Sequence, residues 1–511
     1  MKAETITLVL VNLAGIMERA DESLLPGVYK EVGAALHTNP TGLGSLTLFR
    51  SMVQASCYPL AAYLAVRHNR IHVIALGAFL WATATFLVAF SSTFFEVAVS
   101  RALNGVGLAI VAPAIQSLVA DSTDTSNRGM AFGWLQLTGN LGTIIGGLCS
   151  VLIAPITFMG IPGWRISFHI VGLISVVVGI LVYFFAKDPH FSNGGSRAIN
   201  QGPNKSFRSE LKELLQVAKS VIKIPSFQII VAQGVTGSFP WSALSFAPMW
   251  LELMGFSHGK TAFLIAMFVV ASSLGGLFGG WMGDVLSKRF PNSGRIVLSQ
   301  ISSGSAIPLA ALLLLGLPDD PSTASLHGSA LFIMGLFISW NAPATNKTSI
   351  YALDRSFESI LSSFAPPIVG LLAQHVYGYE ALPEDYTKSE EIATDRGNAA
   401  SLAKALYTAI GIPMALCCLI YSFLYRTYPR DRERAEMHAL IESEMQRLES
   451  DDLNEGGEYS QVHISAGAEE LYATDRTIIE MDYGAEDDID TDDSDDKILL
   501  YRQLTFANLG K

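Results

Sequence analysis

The sequence predicts an all-α membrane protein with twelve transmembrane helices in two six-helix bundles, and three observations carry that expectation. Half of the 511 residues are hydrophobic and only 16% are charged. Apolar runs of about 20 residues, the length that crosses a hydrocarbon core about 30 Å thick, recur as far as Tyr425. Similar basic turns follow the second and the eighth run, as an internal repeat would place them.

In chain order the runs are Thr5 to Val28, Gly42 to Val66, Ile71 to Ser91, Phe94 to Val119, Gly129 to Ala154, Ile166 to Ala186, Phe227 to Met254, Thr261 to Met282, Ile296 to Leu315, Ser329 to Leu353, Phe357 to Tyr377 and Ala399 to Tyr425. The first run follows Lys2, but no small-x-small cleavage site follows Ile16, so it reads as a helix rather than a removable secretory signal. Lys and Arg in the connections set the orientation. With a cytosolic N-terminus, Arg67, Arg70, Arg128, Lys187, Lys288, Arg289, Arg295 and Arg430 are all cytosolic, whereas the outer loops hold little beyond Lys30, Arg165 and Lys260. Both termini are then cytosolic. The sequons at Asn204 and Asn346 fall in a cytosolic loop and a helix, where no glycan is expected.

Four regions follow: a first bundle over residues 1–186, a cytosolic linker over 187–226, a second bundle over 227–426 and an acidic, mostly disordered cytosolic tail over 427–511. In the linker, Leu211, Leu214, Leu215 and Ala218 recur at helical spacing, which suits an amphipathic surface helix or a solvated one. Arg430 to Ser450 can continue as a charged helix. Asp451 to Asp496 is crowded with carboxylates and supplies most of the net charge of −12, so that charge says nothing of a nucleic-acid partner, and none is expected. Near the end, Asp495 with Leu499 and Leu500 fits an acidic dileucine signal, and Tyr501 with Leu504 a tyrosine-based one. Read by sorting adaptors, these give an endomembrane or vacuolar address; a plain solvated end leaves the plasma membrane open. The cysteines, Cys57, Cys149, Cys417 and Cys418, lack metal-ligand spacing, and neither a metal nor a cofactor is expected.

Charge inside the first helix is the main functional signal. Glu18, Arg19, Asp21 and Glu22 stand in one apolar run, where an ionised group costs roughly 2.5–3.5 kcal/mol at the helix centre. At 1.5 Å per residue Glu18 lies about 20 Å from the start of its helix, Arg101 about 10 Å and Arg50 about 12 Å below the opposite face, so the three share one layer. Glu18 is thus a proton-coupling candidate with Arg101 as partner; Asp21 and Glu22, one turn further out, line the outer mouth. A static ion-pair network is the competing reading. The second half offers Gln233, Trp241 and Asn341 with little mid-membrane charge, so one cavity wall is charged and the other aromatic and polar. Arg50, Asp21, Gln233, Trp241 and Asn341 are the substrate-binding candidates. Gly105 and Gly107 in the fourth helix and Gly146 in the fifth let neighbouring helices approach closely. Prolines at 240, 248, 366 and 367 permit the bends that gates require.

The second basic turn, Gly280-x-x-x-Asp284 with Lys288 and Arg289, resembles the major facilitator superfamily signature Gly-x-x-x-Asp-Arg-x-Gly-Arg-Arg. The first keeps Arg67 and Arg70 but has Ala62 for the glycine and Val66 for the aspartate. Arg101-x-x-x-Gly105-x-Gly107 resembles another superfamily motif. The resemblance implies gating roles for Arg67, Arg70, Gly280, Asp284 and Arg289. Met17-Glu18-Arg19 with Pro26, and Tyr63-Leu64 with Arg67 and Asn69-Arg70, are similar to the Spinster-like group, although Leu108 stands where that group tends to have glutamate. The resemblance implies a secondary active transporter in the lipid bilayer for a small organic, amphipathic or lysolipid-like solute, and the depth of Glu18 beside its arginine partners points to proton coupling. A carrier of small hydrophilic anions and a non-transporting sensor are the alternatives. With no nucleophile or phosphate-cradling constellation, no enzyme activity is expected.

Overall fold

The computed structural model describes residues 3–121, 128–188, 225–318, 320–340, 358–380 and 388–454. The first half comprises α1 (Ala3–Gly27), a short α2 (Tyr29–Ala35), α3 (Pro40–Arg67), α4 (Arg70–Phe90), α5 (Phe94–Asp121), α6 (Arg128–Ile153) and α7 (Gly163–Phe185). A two-residue hairpin, Thr157–Phe158 against Ile161–Pro162, precedes α7. The second half comprises α8 (Pro225–Ala243), α9 (Ala247–Leu253), α10 (His258–Arg289), α11 (Gly294–Ala311), α12 (Ala324–Ile338), α13 (Ala365–Leu371) and α14 (Lys388–Asn454).

Prolines divide the spans as their chemistry requires, each removing a donor from the helical ladder. Pro240 lies in α8 and Pro248 in the first turn of α9, and between them Leu244–Phe246 tighten into a 3₁₀ turn. The eleventh span, Glu358–Val376, breaks at Ser363 and Phe364 before Pro366 and Pro367, then widens into a π turn at Leu372–Val376. The helix expected from Ile166 begins at Gly163, so Trp164 and Arg165 are helical and Arg165 donates to the Ser91 carbonyl at 2.8 Å. The charged run after the last span is helix to Asn454, continuing α14 for about 40 Å beyond Thr427 at 1.5 Å per residue. The rest of the linker and of the tail lies outside the described residues.

Eight of the described helical segments are long and apolar enough to span a membrane on their own. The first span is not among them, because its four charges lower the mean hydropathy. Phe90, Phe184, Phe263, Leu277 and Phe423 are more than 60% exposed, which suits side chains facing lipid tails rather than water.

Glycine sets the helix spacing. A Cβ at Gly105 would collide with the Arg50 carbonyl of α3, one at Gly107 with the Trp81 backbone of α4, and one at Gly146 with the Ala20 carbonyl of α1. In the second half Gly275 and Gly279 of α10 do the same against Leu336 and Trp340. Among the described residues, two seams of packed long helices join the halves. Along one, Gly44 of α3 lies on the Pro366–Pro367 backbone and Gly370 on that of Pro40 and Thr41, whose hydroxyl bonds Gln374. Along the other, Asn140 of α6 donates to the Ser273 hydroxyl of α10 at 2.8 Å.

Gly105→Ala should therefore destabilise the protein by about 1–3 kcal/mol through forced separation of α3 and α5. Gly147→Ala, where a Cβ meets nothing within 4 Å, should be neutral or stabilising by up to about 1 kcal/mol. Thermal unfolding of the two variants in the same detergent tests the contrast.

Candidate functional site

The four charges of α1 project in different directions because each residue advances the helix by about 100°. Asp21 is fully buried inside the first bundle. It accepts from the Thr85 hydroxyl of α4 and from Asn104 Nδ2 of α5 at 2.8 Å, and Arg101 Nη1 lies 3.9 Å from the same carboxylate. This corrects two expectations: Asp21 does not line an outer mouth, and Arg101 pairs with Asp21 rather than with Glu18. The face of α1 that packs on α4 and α5 is the one that carries Asp21, and Arg101 and Asn104, one turn apart, both reach it. Arg101 is 1% exposed, and its charge is balanced by that carboxylate.

Glu18 and Glu22, one turn apart, share the face toward α3. Glu22 bridges two cations, Arg19 Nη1 at 2.9 Å and Arg50 Nη1 at 3.2 Å. Glu18 is buried within reach of the charges of Arg19, Glu22 and Arg50, yet among the described residues it forms no ion pair. Arg50 Nε is buried without a hydrogen-bond acceptor, and its Nη1 has the Glu22 contact without hydrogen-bond geometry. Arg19 lies beside Gly139 of α6 in the middle of the bundle but is 52% exposed, as a cavity wall would be. Tyr58 of α3 lies near the same carboxylates and close to Ser359 of the eleventh span, so the cluster lies where the halves meet.

The second half contributes less than expected. Gln233 of α8 is buried and its carbonyl accepts from the Cys417 thiol at 3.5 Å. Trp241 is 40% exposed with its ring 5.9 Å from that of Phe268. Asn341 lies outside the described residues. A buried carboxylate that sequence reasoning missed, Glu358, packs against Gly234 of α8; it stands at the end of its span, where hydropathy gives no sign of burial. A groove of about 630 Å³ between α10 and α12, lined by Phe263, Leu264, Met267 and Phe332, contains none of the charged cluster.

The two basic turns are built differently. Arg70 opens α4 and is buried against Asp188, just past α7: Nη2 to Oδ1 is 2.7 Å and Nε to Oδ2 2.9 Å, and Nη1 also donates to the Ser117 carbonyl and hydroxyl at 3.0 Å. Asp188 thus supplies a carboxylate to the turn whose own aspartate position is Val66. The Arg67 side chain lies outside the described residues. In the second turn Asp284 is 72% exposed with Arg295 at 3.3 Å, Arg289 is exposed and Gly280 half-buried. The tail positions Asp495, Leu499, Leu500, Tyr501 and Leu504 also lie outside the described residues.

A two-half bundle with buried charge lodged where the halves meet is the architecture of a membrane carrier. Residues 11–353 match the Major Facilitator Superfamily, and the chain belongs to it. Protein spinster of Drosophila melanogaster is 24% identical over 303 residues, 57% of this chain and 47% of that protein, so the chain spans about half the length of that relative. The cis,cis-muconate transport protein of Acinetobacter baylyi is 22% identical over 321 residues, 62% of this chain and 73% of that one. A crystal structure of a bacterial homologue of the human lysosomal transporter Spinster, inward-facing and unoccupied, superposes with a TM-score of 0.69 at 16% identity, covering 84% of this chain and 98% of that one.

The Arg70–Asp188 clamp yields a separable prediction. Asp188→Asn removes the carboxylate charge that accepts from Arg70 Nε and Nη2 and should cost about 3–5 kcal/mol, whereas the paired Arg70→Met, Asp188→Leu protein should recover most of that loss. Thermal stability of the two single variants and the double variant measures it as a double-mutant cycle.

Proposed function

We propose that this protein is a secondary active transporter that moves an amphipathic organic anion by alternating access, with Glu18 carrying the coupling proton. The observation that carries the proposal is the unequal pairing of the two carboxylates that share one face of α1. Glu22 already neutralises part of Arg19 and Arg50, while Glu18 shares their surroundings without an ion pair of its own among the described residues. A buried carboxylate left over in this way is the group whose charge a proton can remove at least cost to its neighbours.

The Arg50 Nε donor, buried and without an acceptor, supports an anionic group on the solute. Trp241 and Phe268 give an apolar body a surface across the cavity. A lysolipid-like solute fits this division and agrees with the similarity to protein spinster. The Arg50 donor equally favours a small hydrophilic dianion, such as the muconate named for a second relative. With the basic connections in the cytosol, the end carrying α2 faces outward, in either an endomembrane or the plasma membrane.

Purified protein in liposomes, offered a fluorescent lysophosphatidate or muconate under an imposed proton gradient, separates these readings. Lysophosphatidate uptake is the expected result, and muconate uptake alone moves the assignment to hydrophilic anions. Glu18→Gln should lower proton-driven accumulation by about 5- to 150-fold, the usual span of coupling between two sites, while keeping downhill flux. Accumulation with wild-type pH dependence in Glu18→Gln removes Glu18 as the proton carrier.

A further inference from the structure

Away from this cluster, a second set of titratable groups crosses between the halves at the end of the bundle that carries α2. Glu31 comes from α2, Glu252 from α9, and His258 is the first residue of α10. His258 Nδ1 lies 3.0 Å from Glu252 Oε1 and 3.9 Å from Glu31 Oε1. The Glu252 side chain is 4% exposed, and Glu31 Oε2 is buried with no hydrogen-bond partner. The nearest other cation, Lys30, reaches Asp395 of α14 at 2.9 Å. Nearby, Tyr29 of α2 stacks obliquely on Phe246 at 4.9 Å, so water is displaced from part of this contact.

One ring nitrogen faces two carboxylates here but can donate a proton to only one of them. The other carboxylate belongs to the opposite half, with an oxygen that lacks a donor. Bringing the halves together therefore presses like charges into a partly dry contact, and a proton removes that repulsion. We propose that Glu31, Glu252 and His258 form a proton-binding site completed only when the halves meet at the α2 end, so that closing this end takes up a proton and opening it releases one. The proposal rests on the alternating movement set out above and adds to it a site distinct from Glu18.

The charged groups facing Glu31 are Glu252, His258 and Lys30, the last held by Asp395. Burial first, and Glu252 second, push the Glu31 carboxyl up from 4.5 to about 7, against the opposing pull of His258 and Lys30. When the end opens, Glu31 returns to an ordinary carboxylate. The closed form then binds more protons than the open form between about pH 4.5 and pH 7, so the closed fraction falls as pH rises through that window.

Spin labels at Ala35→Cys and Ala393→Cys, both exposed and in opposite halves, report the separation of this end by pulsed electron resonance in a background without the four native cysteines. In chelator-containing buffer the closed-to-open ratio should fall at least about tenfold between pH 5 and pH 7.5. Glu31→Gln, and independently Glu252→Gln, should flatten that response. A ratio that moves with lysophosphatidate but not with pH overturns the proton site while leaving alternating access intact. A pH response unchanged in both glutamine variants also overturns it, as does closure that appears only with added Zn²⁺, which would make the contact a cation bridge. A single distance at every pH and with every solute instead overturns the movement on which the proposal rests.

Discussion

The structure depends on where α1 puts its charges. A carboxylate in a membrane interior must be satisfied by the protein, because no lipid atom can do it. Asp21 is satisfied within one half, by Thr85, Asn104 and Arg101 on helices that stay together. Glu18 and Glu22 face the other way, toward Arg50 and the contact with the second half. One helical turn thus holds an anchoring carboxylate and two that face the arginine cluster. Rotating α1 by half a turn would take Asp21 away from Thr85 and Asn104 and leave Arg101 without its carboxylate.

The same division between fixed and movable charge recurs at the ends of the bundle. Arg70 and Asp188 are buried together with two charge-assisted bonds, and both belong to the first half, so a motion of one half against the other need not break them. The contacts across the halves are of another kind. Lys30–Asp395 is partly exposed, Glu31 and Glu252 share one histidine, and Gly44 and Gly370 bring bare backbone against backbone. Strong pairs within a half and weak or titratable ones between halves are what a rocking mechanism needs, since each cycle must break only the second set.

Sequence made the helices legible because hydropathy is additive along a run and prolines mark their own breaks, as at Pro240, Pro248 and Pro366. The glycines were legible for a similar reason: Gly105, Gly107 and Gly146 have no use in a membrane helix other than close approach or bending. Pairings were not. Depth along the helix placed Glu18 and Arg101 in one layer, but depth says nothing of rotation about the axis, and rotation gives Arg101 to Asp21. Asp188 follows the sixth span in what reads as a loop, and Thr85 looks like any helix threonine bonded to its own backbone. Glu31 and His258 are more than two hundred residues apart, so only the docking of two halves brings them together.

That last pairing bears on how one fold can use two proton sites without redundancy. In the mechanism we propose, Glu18 lies near Arg19 and Arg50 beside the solute, so its protonation would report what is bound. Glu31 has an acidic neighbour and a shared histidine, so its protonation reports whether one end is shut. A proton entering at the α2 end would favour closure before it met Glu18, and closure would bring the solute and Glu18 together in an enclosed cavity. The order matters physically: a carrier whose gate closes on acidification from one side retains its cargo while the gradient points inward and leaks less when the gradient collapses. A centre where arginines and carboxylates balance, and a rim where carboxylates outnumber cations, would let a single gradient act on both steps in sequence.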